Sequence, residues 1–182
     1  KEKNKKIKFE FGTEDHGVKY SFGQFIKDLD FFSKIKNSNY LVCQTGSLVK
    51  EIYQVGDFDF RNSKKMSLAA GRKKILLKEH NCDYMSVPEI NLRKKAGISA
   101  MNVAPEIGVL QTKLTIMLAK ELGLEKKIEN FKKVVLKKDK WVKWLYAKKI
   151  NDNQKLSISG HYFFSTQEYY DLKREINRRV NF

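Results

Sequence analysis

Cysteine and proline are nearly missing from this chain, with two of each in 182 residues. The two cysteines, Cys43 and Cys82, lack CxxC spacing, which excludes a disulfide framework. Cys43 sits inside an apolar run and reads as a reduced, buried thiol of a cytoplasmic protein. No apolar run approaches the roughly 18 residues of a membrane span, and no stretch reads as a signal peptide. Position 1 is Lys1 rather than methionine, so the chain is expected to start part-way through a longer protein. Arginine is also scarce. Only six of the 37 basic residues are Arg, although Arg is the side chain suited to bidentate reading of bases and phosphates.

The formal net charge is nonetheless +16, so lysine carries it. The lysines are spread as doublets, Lys5-Lys6, Lys64-Lys65, Lys94-Lys95 and Lys132-Lys133 among them, and 12 Asn accompany them. That pattern reads as solvated faces more readily than as a nucleic-acid patch. It also supplies a positive field that favours anionic small molecules such as sugar phosphates. Hydrophobic residues make up 41% and aromatics 12%, enough for a packed core and too much for a disordered chain.

The first 120 or so residues alternate short β-like runs with amphipathic helical stretches, the rhythm of a parallel sheet. Strands are expected at Ile7 to Phe11, Tyr40 to Cys43, Ile75 to Lys78 and Ile98 to Val103, with a short extension over Glu51 to Val55. Helices are expected where Phe22, Phe25, Ile26, Leu29, Phe32 and Ile35 recur, over Asn62 to Arg72, and from Pro88-Glu89 and Pro105-Glu106. The helix from Pro105 carries Ile107, Leu110, Leu114, Met117 and Leu118 on one face and ends at Gly123. Beyond it only helices are expected, with Trp141 and Trp144 facing a core, Leu156 to Ser165 as a polar-aromatic loop or short turn, and a terminal helix over Gln167 to Val180.

In parallel α/β folds chemistry gathers at the carboxyl ends of the strands. Here four successive strand ends carry unusual polar residues: Gly12-Thr13-Glu14-Asp15-His16-Gly17, Gln44-Thr45-Gly46-Ser47, Glu79-His80-Asn81-Cys82-Asp83, and Asn102 ahead of Pro105-Glu106. His80 directly follows a buried strand and is read either as a metal ligand or proton carrier, or as a hydrogen-bonded structural histidine. Glu10 alternates with Phe9 and Phe11, so it points to a lumen or rim and needs a partner there. Asn102 can donate to and accept from a substrate hydroxyl, or cap its strand end. Candidate catalytic side chains are Glu14 and Asn102; candidate substrate-binding residues are Gln44, Thr45, Gly46, Asn81, Asp83 and Asn102; the candidate metal ligand is His80.

At these residues the chain resembles a known family. The segment ILLKEHNCDYMSVPEINLRKKAGISAMNVAPEIGV, with FEFGTEDHG and YLVCQTGSLVKE before it and LSISGHYFFS after, is similar to the tagatose-bisphosphate aldolase non-catalytic subunit (GatZ/KbaZ-like) family. That family is related to the class II, metal-dependent ketose-bisphosphate aldolases, which are (β/α)8 barrels. The resemblance implies carbohydrate metabolism, a sugar phosphate ligand and an accessory role beside a catalytic aldolase subunit. It puts a zinc-binding role on His80 and a substrate contact near the enediolate on Asn102. Where catalytic members carry a second zinc histidine, this chain has Gln44-Thr45-Gly46-Ser47-Leu48, and Pro105 replaces a threonine of the phosphate loop. The alternatives are a metal-dependent class II-type lyase acting on a sugar phosphate, and a basic nucleic-acid-binding module.

A closed barrel needs eight β/α units and about 250 residues. Four units are legible here. The expected fold is therefore the C-terminal half of a (β/α)8 TIM barrel over residues 1–123, followed by a helical extension over 124–182.

Overall fold

The computed structural model describes residues 7–12, 19–146 and 149–180. Strands β1 (Phe9–Phe11), β2 (Ser38–Cys43), β5 (Leu76–Glu79) and β6 (Ile98–Met101) form one sheet in that order, every neighbouring pair parallel. Helices α1 (Phe22–Phe32), α2 (Phe60–Arg72) and α3 (Val87–Ala96) connect them, and the two-residue strands β3 (Val49–Lys50) and β4 (Tyr53–Gln54) pair within the β2–α2 connection. After β6 come α4 (Pro105–Glu121), α5 (Glu125–Lys137), α6 (Asp152–Ser159) and α7 (Gln167–Val180). The architecture is mixed α/β with a parallel four-stranded sheet.

Local chemistry sets the helix starts. Ser21 caps α1 by accepting from Gln24 N at 3.1 Å, and Asp59 caps α2 by accepting from Asn62 N at 2.9 Å. At α3 the Glu89 carboxylate reaches back to Ser86 N at 2.7 Å, with Pro88 in the first turn where no N–H is needed. Gly97 ends α3 at φ +90, where a Cβ would meet Ser67 Oγ at 2.0 Å, so only glycine fits.

Two compact units result: Lys1–Val49 with Tyr53–Val103, and Lys50–Ile52 with Ala104–Phe182. The division falls at 103/104, ahead of α4, where the sequence pattern places it after residue 123. In the first unit, Phe25 and Leu29 of α1 and Met66 and Ala70 of α2 pack on Leu41, Cys43, Leu77 and Ile98, which covers one face of the sheet. In the second, Phe131 and Val135 of α5, Leu156 of α6, and Tyr169, Leu172 and Ile176 of α7 build a separate core.

The apolar face expected on α4 is present and is exposed: Ile107, Leu110, Leu114, Met117 and Leu118 are 43–61% exposed, while Val109, Thr112, Thr115 and Ala119 are the buried side. Two local expectations are corrected. Leu156 to Ser165 is α6 followed by a 3₁₀ turn over Gly160–Phe163, because Asn151 and Gln154 make a capping box at 2.8 and 2.9 Å. Trp141 and Trp144 are half-buried outside any α-helix: α5 ends at Lys137, Asp139 turns the chain at φ 45, and Trp144 Nε1 donates to Tyr162 Oη at 3.0 Å.

Phe25 is fully buried whereas Phe31, on the same helix, is 65% exposed. Phe25→Ala is expected to cost about 3–5 kcal/mol and Phe31→Ala about 0.5 kcal/mol in urea denaturation; equal losses would place α1 differently on the sheet.

Candidate functional site

Parallel pairing aligns the carboxyl ends of the strands on one edge of the first unit, so Gln44, His80 and Asn102 directly follow β2, β5 and β6 there. The register matches Glu10 with Tyr40, Val42 with Lys78, and Lys78 with Ala100, which sets those residues on one face. Leu41 with Leu77, and Cys43 with Glu79 and Met101, lie on the other, which the helices cover. Each face holds its own polar cluster.

On the face away from α1 and α2, Glu10 joins two side chains of the β5 end. Lys78 Nζ donates to Glu10 Oε2 at 2.5 Å, and His80 Nε2 lies 3.2 Å from Glu10 Oε1. These are the partners that the Glu10 carboxylate on β1 is expected to need. All three side chains keep partial solvent access, so the pairs contribute about 1 kcal/mol or less to stability. Burial pushes the Glu10 carboxyl up, but the hydrogen bonds and charges of Lys78 and His80 outweigh it and hold the group below its ordinary 4.5.

On the helix-covered face lies a buried network. Glu79 is 0% and Arg93 2% exposed. Arg93 Nε donates to Glu79 Oε1 at 3.2 Å, and Oε2, also 3.2 Å from Nε, accepts no hydrogen bond. Thr45 Oγ1 donates to Oε1 at 2.6 Å, Ser47 Oγ donates to the same oxygen, and Arg93 Nη2 donates back to Ser47 at 2.9 Å. The guanidinium lies 4.3 Å from the centre of the Phe58 ring. The residue types meet a strict demand, since a buried carboxylate must be paired and hydrogen-bonded.

The loops around this network are tied by backbone contacts. Asn102 N donates to Glu79 O at 3.0 Å and Cys82 N donates to Asn102 O at 3.1 Å, which fixes Asn102 against the β5 end. Gln54 Nε2 donates to Asn81 O at 2.7 Å and Asp83 O at 3.2 Å, while its Oε1 accepts from Leu48 N at 2.8 Å. Gly46 adopts φ +95 with Asp57 O only 2.3 Å from where a Cβ would stand, so this turn excludes a side chain. Gln44 and Asp83 are buried, and Gln44 O accepts from Tyr20 N at 3.0 Å. The structure thus brings Gln44, Thr45, Gly46, His80, Asn81, Asp83 and Asn102 to one rim; Thr45 is spent on Glu79, and Gly46 serves the turn. Glu14 lies outside the described residues, as does His16.

Sequence reasoning passed over Glu79, Arg93 and Gln54 as site residues. Glu79 had a signal: it stands two positions after Leu77, hence on the core face, where a carboxylate needs a cation. Arg93 and Gln54 carried none. Burial, then the Glu79 charge, pushes the thiols of Cys43 and Cys82 far up, so neither is a nucleophile.

No three His, Cys, Asp or Glu side chains among the described residues are placed to hold a metal ion. His80 has one carboxylate neighbour, Glu10, whose other oxygen carries the Lys78 ammonium. These residues by themselves do not make a zinc site; a metal at His80 would need further ligands from beyond them. No described helix is long and apolar enough to cross a membrane.

No protein-family model matches the chain, and no curated protein matches it. Solved structures do. A crystal structure of a probable tagatose 6-phosphate kinase from Sinorhizobium meliloti 1021 aligns over 96% of this chain and 50% of its own, with a TM-score of 0.76 and 13% identity. A glycerol-complexed fructuronate-tagaturonate epimerase, UxaE, from Cohnella laeviribosi aligns over 96% of this chain and 42% of its own, with a TM-score of 0.64 and 12% identity. The likeness is one of fold. The chain spans about half the length of each of these structures.

Removing one member of the buried pair strands the other. Glu79→Leu and Arg93→Met are each expected to cost about 3–5 kcal/mol in chemical denaturation, and the two together less than the sum of the single changes; strict additivity would show the pair uncoupled. For Glu10 the folded-state pKa is lowered, so its contribution is present above the unfolded value and lost as pH falls through the folded value. The stability gap between wild type and Glu10→Gln should therefore hold at neutral pH and close on acidification below pH 4.5. A gap that widens there would contradict the ion pair.

Proposed function

We propose that this chain works in carbohydrate metabolism as the carboxyl half of a (β/α)8 barrel whose strand-end rim binds a sugar phosphate. In this reading it acts as a cytoplasmic accessory subunit that supports a catalytic ketose-bisphosphate aldolase. The observation that carries it is the Glu10–Lys78–His80 cluster at the carboxyl ends of parallel strands, away from the helices of the sheet's core. One carboxylate holds an ammonium for an anionic group and an imidazole for a hydroxyl or carbonyl. The positive net charge favours such ligands at long range. The resemblance of the Glu79 to Gly108 block to the non-catalytic aldolase subunits, and a fold shared with proteins described as acting on tagatose 6-phosphate and tagaturonate, support the same substrate class.

In the accessory role the partner would contribute the metal and the acid–base chemistry, and this chain would contribute binding and support rather than bond cleavage.

Titration calorimetry with tagatose 1,6-bisphosphate tests this. Saturable binding is expected, stronger than that of inorganic phosphate, and Lys78→Met should weaken it about tenfold, or about 1.4 kcal/mol. Binding no stronger than that of inorganic phosphate, or indifferent to residue 78, would remove the reading.

A further inference from the structure

The second unit holds a cleft of its own. Helices α4, α5 and α6 pack pairwise, and where the three meet they leave a cavity of about 210 Å³ that opens to solvent. Its floor is the core of that unit: Ile128 and Leu156 are buried there, with Ile116 packed against them. Packing alone favours filling such a junction with a large apolar side chain, because protein interiors leave few voids larger than a water molecule. Here α6 contributes Asn153 and Ser157 instead, one turn apart on the same face. The Ser157 hydroxyl donates to Asn153 O at 2.9 Å, and the Asn153 side-chain amide has no hydrogen-bond partner among the described residues.

The mouth of the cleft is cationic. Lys113 and Lys120 stand two turns apart on α4, about 10 Å along its axis. Met117 lies one turn from each and is 61% exposed. Other lysines of these helices are neutralised locally, Lys155 by Asp152 at 2.8 Å and Lys132 by Glu129 at 3.7 Å. Lys113 and Lys120 form no ion pair among the described residues. Their flexible four-carbon stems let both ammoniums turn over Met117 onto one anionic group. The cleft is therefore graded with depth, apolar at the floor, hydrogen-bonding on one wall and positive at the lip.

We propose that this cleft binds a small amphipathic carboxylate, a short apolar chain or ring ending in one anionic group. The apolar body lies on Ile116, Ile128 and Leu156, and the carboxylate sits between Lys113 and Lys120 with the Asn153 amide donating to it. No arginine lines the cleft, so it lacks the fork that favours phosphate. Its volume is below the roughly 300 Å³ at which pockets for drug-sized molecules begin, which keeps the ligand small. A bare anion gains nothing from the floor, and an uncharged chain gains nothing from the lip. The site lies wholly within the second unit and does not rest on the sugar phosphate reading of the strand-end rim.

Equilibrium dialysis of the full chain against sodium octanoate decides it, with 1-octanol as the uncharged chain and acetate as the anion without a chain. Saturable binding of octanoate is expected, about tenfold tighter than that of 1-octanol, with acetate unbound. Lys113→Met with Lys120→Met should weaken octanoate about tenfold and leave 1-octanol unchanged. Both lysines are exposed, so their replacement keeps the fold. Asn153→Trp, also at an exposed position, should fill the cleft and abolish binding of both chains with helical circular dichroism kept. Equal binding of octanoate and 1-octanol, or octanoate binding indifferent to the two lysines, overturns the proposal. Octanoate binding that survives Asn153→Trp lies elsewhere on the chain and overturns it too, as does uptake that rises without saturating.

Discussion

The buried pair of Glu79 and Arg93 is the interaction on which the rest of the first unit depends. A carboxylate with no solvent access must be neutralised, and here three elements meet that demand together: the β2 loop through Thr45 and Ser47, the β5 end through Glu79, and α3 through Arg93. Because the same strand end alternates, fixing Glu79 on the helix side fixes Lys78 on the other side, beside Glu10. The rim chemistry is thereby indexed to a charge it never touches. Such a pair is a poor source of net stability compared with apolar packing, and its value lies in the register it selects.

Much of the fold was legible in the residues. Apolar residues from Phe22 to Phe32 recur at helical spacing because α1 has a single sheet to cover, and Pro88, Glu89 and Gly97 mark the two ends of α3 by backbone demands that few other residues meet. Glu10 was read as needing a partner because strand alternation left it no place in the apolar layer. What stayed hidden was long-range. Periodicity showed that α4 has an apolar stripe but not what covers it, and the tryptophans looked like a helical pair because nothing local announced the left-handed turn at Asp139.

The candidate site follows the same division. Strand-end positions placed His80, Asn81, Asp83 and Asn102 on one rim, and the register agrees. Gln54, which clamps two carbonyls of the β5 loop and one amide of its own connection, sits in a short hairpin with no pattern to single it out. Thr45 and Gly46 carry turn-like and polar signals that the structure uses inwardly, one for a buried carboxylate and one for a close backbone approach. Polar residues at a strand-end rim thus include some that serve to hold the rim in shape.

The half-buried tryptophans have a practical corollary. Both indoles of the chain, Trp141 and Trp144, belong to the second unit, and the sheet-bearing unit contains none. Intrinsic indole emission is therefore a private reporter of the helical unit, coloured by the Lys143 ammonium 4.9 Å from the Trp144 ring. Loss of the sheet alone would be dark at those wavelengths, so far-ultraviolet dichroism and emission would trace two different events if the units unfold apart.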